Sequence, residues 1–145
     1  MFGGNFAFEK AKGYYVVAMG LLAGTGNTAP SLVNVLEDRR KVATAAKLTV
    51  IHASATTGKV DVYLTPTDDI SSATPALAGV DFKQFATGVE VAEGTYSVTV
   101  TPEGNKAVEA IKVSNLQIDK GKLYGIVALD GNGGIGNLQV NTLDF

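Results

Sequence analysis

Apolar and polar positions alternate with a period of two along much of this chain. In TYSVTVT (95–101), Tyr96, Val98 and Val100 alternate with Ser97, Thr99 and Thr101, and in KVDVYLT (59–65), Val60, Val62 and Leu64 alternate with Asp61 and Tyr63. Successive side chains of extended backbone point to opposite sides, so each stretch predicts a strand with one buried and one wet face. Runs of this kind predict strands at 14–22, 32–37, 46–53, 60–65, 89–91, 95–101, 107–113, 122–129 and 137–143. Turns separate them: AEGT (92–95), PEGN (102–105), DKGK (119–122) and DGNGG (130–134) each place Gly or Asn where a positive φ is cheap. TPTDDISSATPALAG (65–79) is the one long polar connection, and helical periodicity is nearly absent. The pattern predicts an all-β chain.

Residues 12–29, KGYYVVAMGLLAGTGNTA, look at first like a secretory leader, with a lysine ahead of a short apolar run and small residues behind it. Self-similarity overrides that reading. NFAFEKAKGYYVVAMG (5–20) aligns with NLQIDKGKLYGIVALD (115–130): Asn5 with Asn115, Lys10 with Lys120, Lys12 with Lys122, Tyr14 with Tyr124, Val17 with Val127 and Ala18 with Ala128. Phe6/Leu116, Phe8/Ile118 and Met19/Leu129 keep their character, and after a Gly-rich turn VNVLED (33–38) meets VNTLDF (140–145). A leader has no reason to reproduce the strand–turn–strand pattern at the far end of its own chain. Residues 14–37 therefore read as a hairpin and not as a signal peptide. The expected organisation is a terminal hairpin of a preceding repeat at 1–38, a charged linker at 39–46 and a complete β-sandwich at 47–145.

Within the complete unit, three stretches resemble the domain of unknown function 4397 family. They are KLTVIHASATTGKVDVYL (47–64), with His-Ala-Ser closing one strand and Val-Asp-Val-Tyr opening the next, VAEGTYSVTVTPEG (91–104) and KGKLYGIVAL (120–129). Glu93 departs from the family's usual small residue. The resemblance covers about residues 46–145, and 1–38 looks like the tail of another such unit. It implies an antiparallel immunoglobulin-like or transthyretin-like β-sandwich, found in tandem on exported proteins at the periplasm, cell surface or outside the cell. It supplies no catalytic residues to carry over.

Composition narrows the chemistry further. The 145 residues carry a net charge of −2 and no cysteine, which excludes disulfides and thiolate metal sites and offers no field for nucleic acid. No apolar run approaches the roughly 20 residues that insert into a bilayer. His52 is the only histidine, beside Ser54 and nine residues before Asp61. A nucleophile needs its base within hydrogen-bond reach, and Ser54 lies two residues along the same backbone, so catalysis is not expected. His52, Ser54, Asp61, Tyr63 and Tyr96 read instead as a structural motif, with His52 and Asp61 pinning strands 46–53 and 60–65 at their loop. Asp130, Asn132 and Asn137, or Asp68 and Asp69, offer oxygens for calcium, but no acidic residue closes a wrapping loop, so a plain turn is the better reading. AGTGNTAPS (23–31) lacks the lysine and helix of a phosphate loop. DRRK (38–41) reads as a solvated linker. No metal or cofactor is expected.

Two functions remain open. A hairpin alone is marginal in water, so residues 14–37 must bury their apolar side chains. They can extend the sheet of their own sandwich, or pair with the edge of a neighbour and give a homo-oligomer. That makes the first reading a non-catalytic, self-associating structural module. The second is a ligand-binding module for carbohydrate or another cell-surface component, using Asp68, Asp69, Ser71 and Ser72 in the 65–79 loop.

Overall fold

The computed structural model describes residues 5–40, 42–131 and 134–144. Ten strands account for most of them: β1 (Tyr14–Met19), β2 (Ser31–Leu36), β3 (Ala45–His52), β4 (Val60–Thr65), β5 (Leu77–Val80), β6 (Phe85–Ala92), β7 (Gly94–Pro102), β8 (Ile111–Ile118), β9 (Lys122–Gly131) and β10 (Gly134–Asp144). They form two four-stranded sheets, β10-β9-β3-β6 and β5-β4-β7-β8, and the two-stranded sheet β1-β2. The inward residues of the alternating pattern meet between the larger sheets. Leu48, Val50, Tyr124, Ile126 and Ala128 face Val60, Val62, Val98, Val100 and Ile118 in one core. The chain is an all-β sandwich with an added N-terminal hairpin.

The structure corrects the strand map in places where local chemistry outweighs period. The sandwich is not antiparallel throughout: β3 and β9 run parallel, from Lys47↔Leu123 to His52↔Ala128. No hairpin can join a parallel pair, and here the whole of sheet β5-β4-β7-β8 lies between them in sequence. The end of the 65–79 connection is strand β5, with Val80 paired to Val60. β6 begins at Phe85 rather than at 89. β8 starts at Ile111 rather than at 107, because the Asn105 side chain accepts the Ala107 N–H (3.1 Å) and prolongs the turn. The expected turn at 130–134 includes Asn132 and Gly133, which lie outside the described residues.

The outward face of β4 and β7, expected to be wet, is also covered. Asp61, Tyr63, Thr65, Ser97, Thr99 and Thr101 are all buried. The segment 66–76 folds back over this sheet as a strap. Its Ile70 is buried, its Asp68 accepts hydrogen bonds from the hydroxyls of Ser97 on β7 and Ser114 (2.7 Å) on β8, and Lys106 clasps it by donating to the carbonyls of Ser71 (3.0 Å) and Ala73 (2.6 Å). The same ammonium lies 5.5 Å from the Tyr63 ring centroid.

The hairpin β1-β2 neither extends a sheet nor pairs with an edge. It lies face-on against the outer side of β10-β9-β3-β6, where Tyr15, Val17, Met19, Val33 and Val35 pack on Ile51, Ala53, Phe82, Val127 and Leu129. The residues it covers there are apolar, so laying one face on another buries more than adding a strand would. The approach is close: a Cβ on Gly125 of β9 would lie 2.7 Å from Cζ of Tyr15. Burial, with the Glu37 carboxylate beside it, pushes the Tyr15 phenol up to about 12.

The linker is not simply solvated. Glu37 is buried, and Lys47, 3% exposed on the covered side of β3, reaches Asp38 at 2.9 Å. Asp38 also takes Arg40 (2.8 Å). The hydrogen bonds from Arg40 and Lys47 hold the Asp38 carboxyl well below the usual carboxylate range. A buried ammonium without its counter-ion is costly, so the linker carries a structural charge.

Two outcomes follow from this packing. Gly125→Ala forces Tyr15 outward and should cost on the order of 1–3 kcal/mol in urea unfolding, with β1 and β2 amides losing hydrogen-exchange protection before those of β3. Asp38→Ala should cost roughly 2–3 kcal/mol, while Asp38→Ala combined with Lys47→Met recovers most of it; a double variant no better than the single one would refute the pairing.

Candidate functional site

His52 ends β3, where its N–H donates to the Gln84 carbonyl (3.0 Å) and its carbonyl accepts from Lys83 (2.9 Å). Its buried ring stands edge-on to Phe82. Nε2 lies 3.0 Å from the Gly58 carbonyl, which can only accept, so Nε2 carries the proton and Nδ1 accepts the Ser54 N–H (3.3 Å). Both ring nitrogens are thus engaged with backbone of the β3–β4 loop.

Ser54, fully buried, directs its hydroxyl to neither His52 nor Asp61 but to the Asp130 carboxylate. The single hydroxyl proton goes to the carboxylate, so Ser54 Oγ accepts from Thr57 Oγ1 (2.9 Å). Asp130 also receives Ala55 N–H (2.9 Å), Thr56 N–H (3.3 Å) and Thr56 Oγ1 (2.6 Å). Desolvation works against the charge on Asp130, but the bonds from Ser54, Thr56 and Ala55 outweigh it and hold this carboxyl below its ordinary value. Sequence reasoning weighed Asp130 only as a calcium oxygen. The signal for its real neighbours is the parallel register of β3 and β9: His52 lies opposite Ala128, so two residues on Ser54 comes level with Asp130.

Asp61 is a pin too, on other loops. Its two oxygens accept Gly79 N–H and Gly104 N–H, each at 2.8 Å, which ties β5 and the 102–105 turn to β4. Of the pair expected to pin β3 and β4 at their loop, His52 bonds that loop through Gly58, whereas the bonds of Asp61 go to Gly79 and Gly104. Tyr63 lies under the strap, and Tyr96 donates its hydroxyl to the Ala92 carbonyl across the β6–β7 turn (3.1 Å). Among the loop residues, Asp68 is held as described, Asp69 accepts Ser71 N–H (2.8 Å), and Ser72 is exposed. The hydrogen bonds from Ser97 and Ser114 lower the Asp68 carboxyl, and that from Ser71 N–H lowers Asp69. Among the described residues no three His, Asp or Glu side chains converge as a metal cluster, and no helix is long and apolar enough to cross a membrane. Asn132 and the side chain of Asn137 lie outside the described residues.

Among the described residues, the other face of the hairpin joins neither apolar core. Tyr14, Val16 and Ala18 pair across to Leu36, Asn34 and Leu32, and strand alternation turns them away from the sandwich. Phe8 stacks edge-on to Tyr14, with ring centroids 5.0 Å apart, and Phe6 lies 6.3 Å from Phe8. Phe8, Val16 and Leu36 are exposed.

Two local features of the aligned segments coincide in the structure. Tyr14 Oη accepts Glu9 N–H at 3.0 Å and Tyr124 Oη accepts Asp119 N–H at 2.9 Å, each five residues upstream. The residues three before each tyrosine, Ala11 (φ 62°) and Gly121 (φ 72°), share the left-handed conformation. The chain matches no known protein-family model and no curated protein.

Asp130→Asn should destabilise the chain by about 1–3 kcal/mol at neutral pH, since amide protons then face the Ser-Ala-Thr donors. The folded-state value is depressed, so the carboxylate's contribution is fully present above the ordinary carboxylate range and is lost as pH falls through the lowered value. Urea midpoints followed from neutral pH into acid should show the gap between native chain and variant closing; a gap independent of pH would refute the assignment.

Proposed function

We propose that this chain is a non-catalytic structural module of an exported or cell-surface protein, and that it self-associates through its N-terminal hairpin. One observation carries the reading. Of the exposed large apolar side chains among the described residues, Phe8, Val16 and Leu36 gather at the outward face of the hairpin, with Leu21 and Leu22 at its tip apart from them, against Phe85 and Val108 elsewhere. Monomeric surfaces seldom gather apolar residues in one patch. The absence of catalysis is supported by how the candidate residues are used: Ser54 is buried and donates to a carboxylate, and both His52 nitrogens are engaged with backbone.

The His52-Ala53-Ser54, Val60-Asp61-Val62-Tyr63 and Gly94-Thr95-Tyr96 motifs support kinship with the domain of unknown function 4397 family, and export is inferred from that kinship alone. The tyrosine bond to backbone upstream of β9 favours the immunoglobulin-like form of the sandwich, in which a tyrosine corner makes such a bond. The 65–79 loop is held down by the bonds of Asp68 and the clasp of Lys106 and shows no gathering of apolar side chains, so self-association is the better supported role.

Sedimentation over the micromolar range tests the reading. The native chain should show a mass that rises with concentration, and Val16→Lys or Leu36→Lys should weaken the association roughly tenfold or more, equivalent to about 1.4 kcal/mol. A strictly monomeric native chain sinks it.

A further inference from the structure

The internal repeat shows what the outward face of the hairpin is shaped to meet. Phe6, Phe8, Tyr14, Val16 and Ala18 align with Leu116, Ile118, Tyr124, Ile126 and Ala128. In the second repeat all five belong to, or pack against, the main core. There Ile118 is 0% and Ile126 1% exposed, whereas their counterparts Phe8 and Val16 are 58% and 48% exposed. The same pattern of side chains, on a hairpin with the same tyrosine bond, is interior in one repeat and surface in the other.

The difference is the presence of a covering sheet. In the second repeat β8 ends beside β7, with Leu116 opposite Tyr96 and Ile118 opposite Gly94, and β4 and β7 lay Val62, Val98 and Val100 over the core. In the first repeat residues 5–9 belong to no strand, although they correspond to the end of β8. Among the described residues no sheet is free for that role, because the inner face of β5-β4-β7-β8 is already engaged with β10-β9-β3-β6.

We infer that the outward face of the hairpin, with Phe6 and Phe8, is the closing half of a second sandwich core, and that its partner is the inner face of a four-stranded antiparallel sheet of the β5-β4-β7-β8 kind. The partner pairs a β7-like strand with residues 5–8 and lays alternating Val and Leu side chains over Tyr14, Val16 and Ala18. This rests on the structural reading above and names the partner of the same hairpin. Self-association of the bare chain is then what the half-core does when no such sheet is supplied.

A graft supplies the sheet. Residues 45–114 of this chain, placed ahead of Asn5 in place of residues 1–4, reproduce the order that precedes Asn115 in the complete repeat. Because the chain has no cysteine, Val16→Cys gives a single maleimide-reactive reporter, and Leu22→Cys at the exposed hairpin tip gives a reference. Both are made in the native chain and in the graft and compared at submicromolar concentration. Val16→Cys should react freely in the native chain and roughly tenfold or more slowly in the graft, with Leu22→Cys reacting alike in both, and the graft should sediment as a monomer. Equal reactivity of Val16→Cys in the two chains overturns the inference, whether the grafted strands stay unfolded or fold elsewhere. A native chain that remains monomeric while the graft protects Val16→Cys defeats self-association alone. A native chain that associates while the graft leaves Val16→Cys reactive defeats this inference alone.

Discussion

Burial of the central strands β3 and β9 on both faces is the constraint from which the rest of the structure follows. A strand in an ordinary sandwich keeps one face wet, but β3 is buried from Ala46 to His52. Its inward residues Leu48 and Val50 enter the sandwich core, and its outward Ile51 meets the hairpin. A middle layer of this kind must be apolar on both sides or compensate each polar residue it contains. Ile51 and Val127 meet the first requirement. Lys47 and His52 meet the second, one through Asp38 and the other through Gly58 and Ser54. The linker and the β3–β4 loop are therefore extensions of the middle layer as much as connections.

The two aligned hairpins share one alternation and occupy different positions. β9 sends Tyr124, Ile126 and Ala128 inward and Gly125, Val127 and Leu129 outward; β1 has the same alternation, with Tyr14, Val16 and Ala18 on one side and Tyr15, Val17 and Met19 on the other. The two hairpins meet by their corresponding faces, β1 laying Tyr15, Val17 and Met19 beside Val127 and Leu129. Where the two strands meet, β9 has Gly125 and β1 has Tyr15, so that the ring lies on bare backbone. That mismatch of size is what allows them to pack closely.

Most strands were legible because a period of two survives wherever one face is apolar and the other polar, as in β4 and β7. β5 was not, since Leu77-Ala-Gly-Val is four residues long, contains a left-handed glycine at 79 and follows a proline, all of which read as turn. Sequence alternation reports polarity and not exposure, so Thr99 and Thr101 looked wet although a strap covers them. The residues of the His52 cluster were legible one by one, but their arrangement was not. The pairing of Ser54 with Asp130 depends on a parallel register between strands some 75 residues apart, and no local pattern encodes it. The face-on docking of the hairpin was equally hidden, because an apolar stripe states that it must be covered and not by what.

The two ends of the stack are finished differently, and the difference is chemical. Beyond β5-β4-β7-β8 the outward residues are Asp61, Thr65, Ser97, Thr99, Thr101 and Ser114, and a polar strap closes over them through Asp68 and Lys106. Hydrogen bonds made within the chain satisfy most of that surface, and water can meet the strap's own exposed side. Beyond β1-β2 the outward residues are Tyr14, Val16, Ala18, Leu32, Asn34 and Leu36, with Phe8 added at one end, and among the described residues none of them joins either apolar core. Hydroxyls and carboxylates mark a face that the chain closes for itself. Valine, leucine and phenylalanine on the outward face of the hairpin have no such closure among the described residues, and leaving them in water forgoes roughly 1.5–3 kcal/mol for each large side chain.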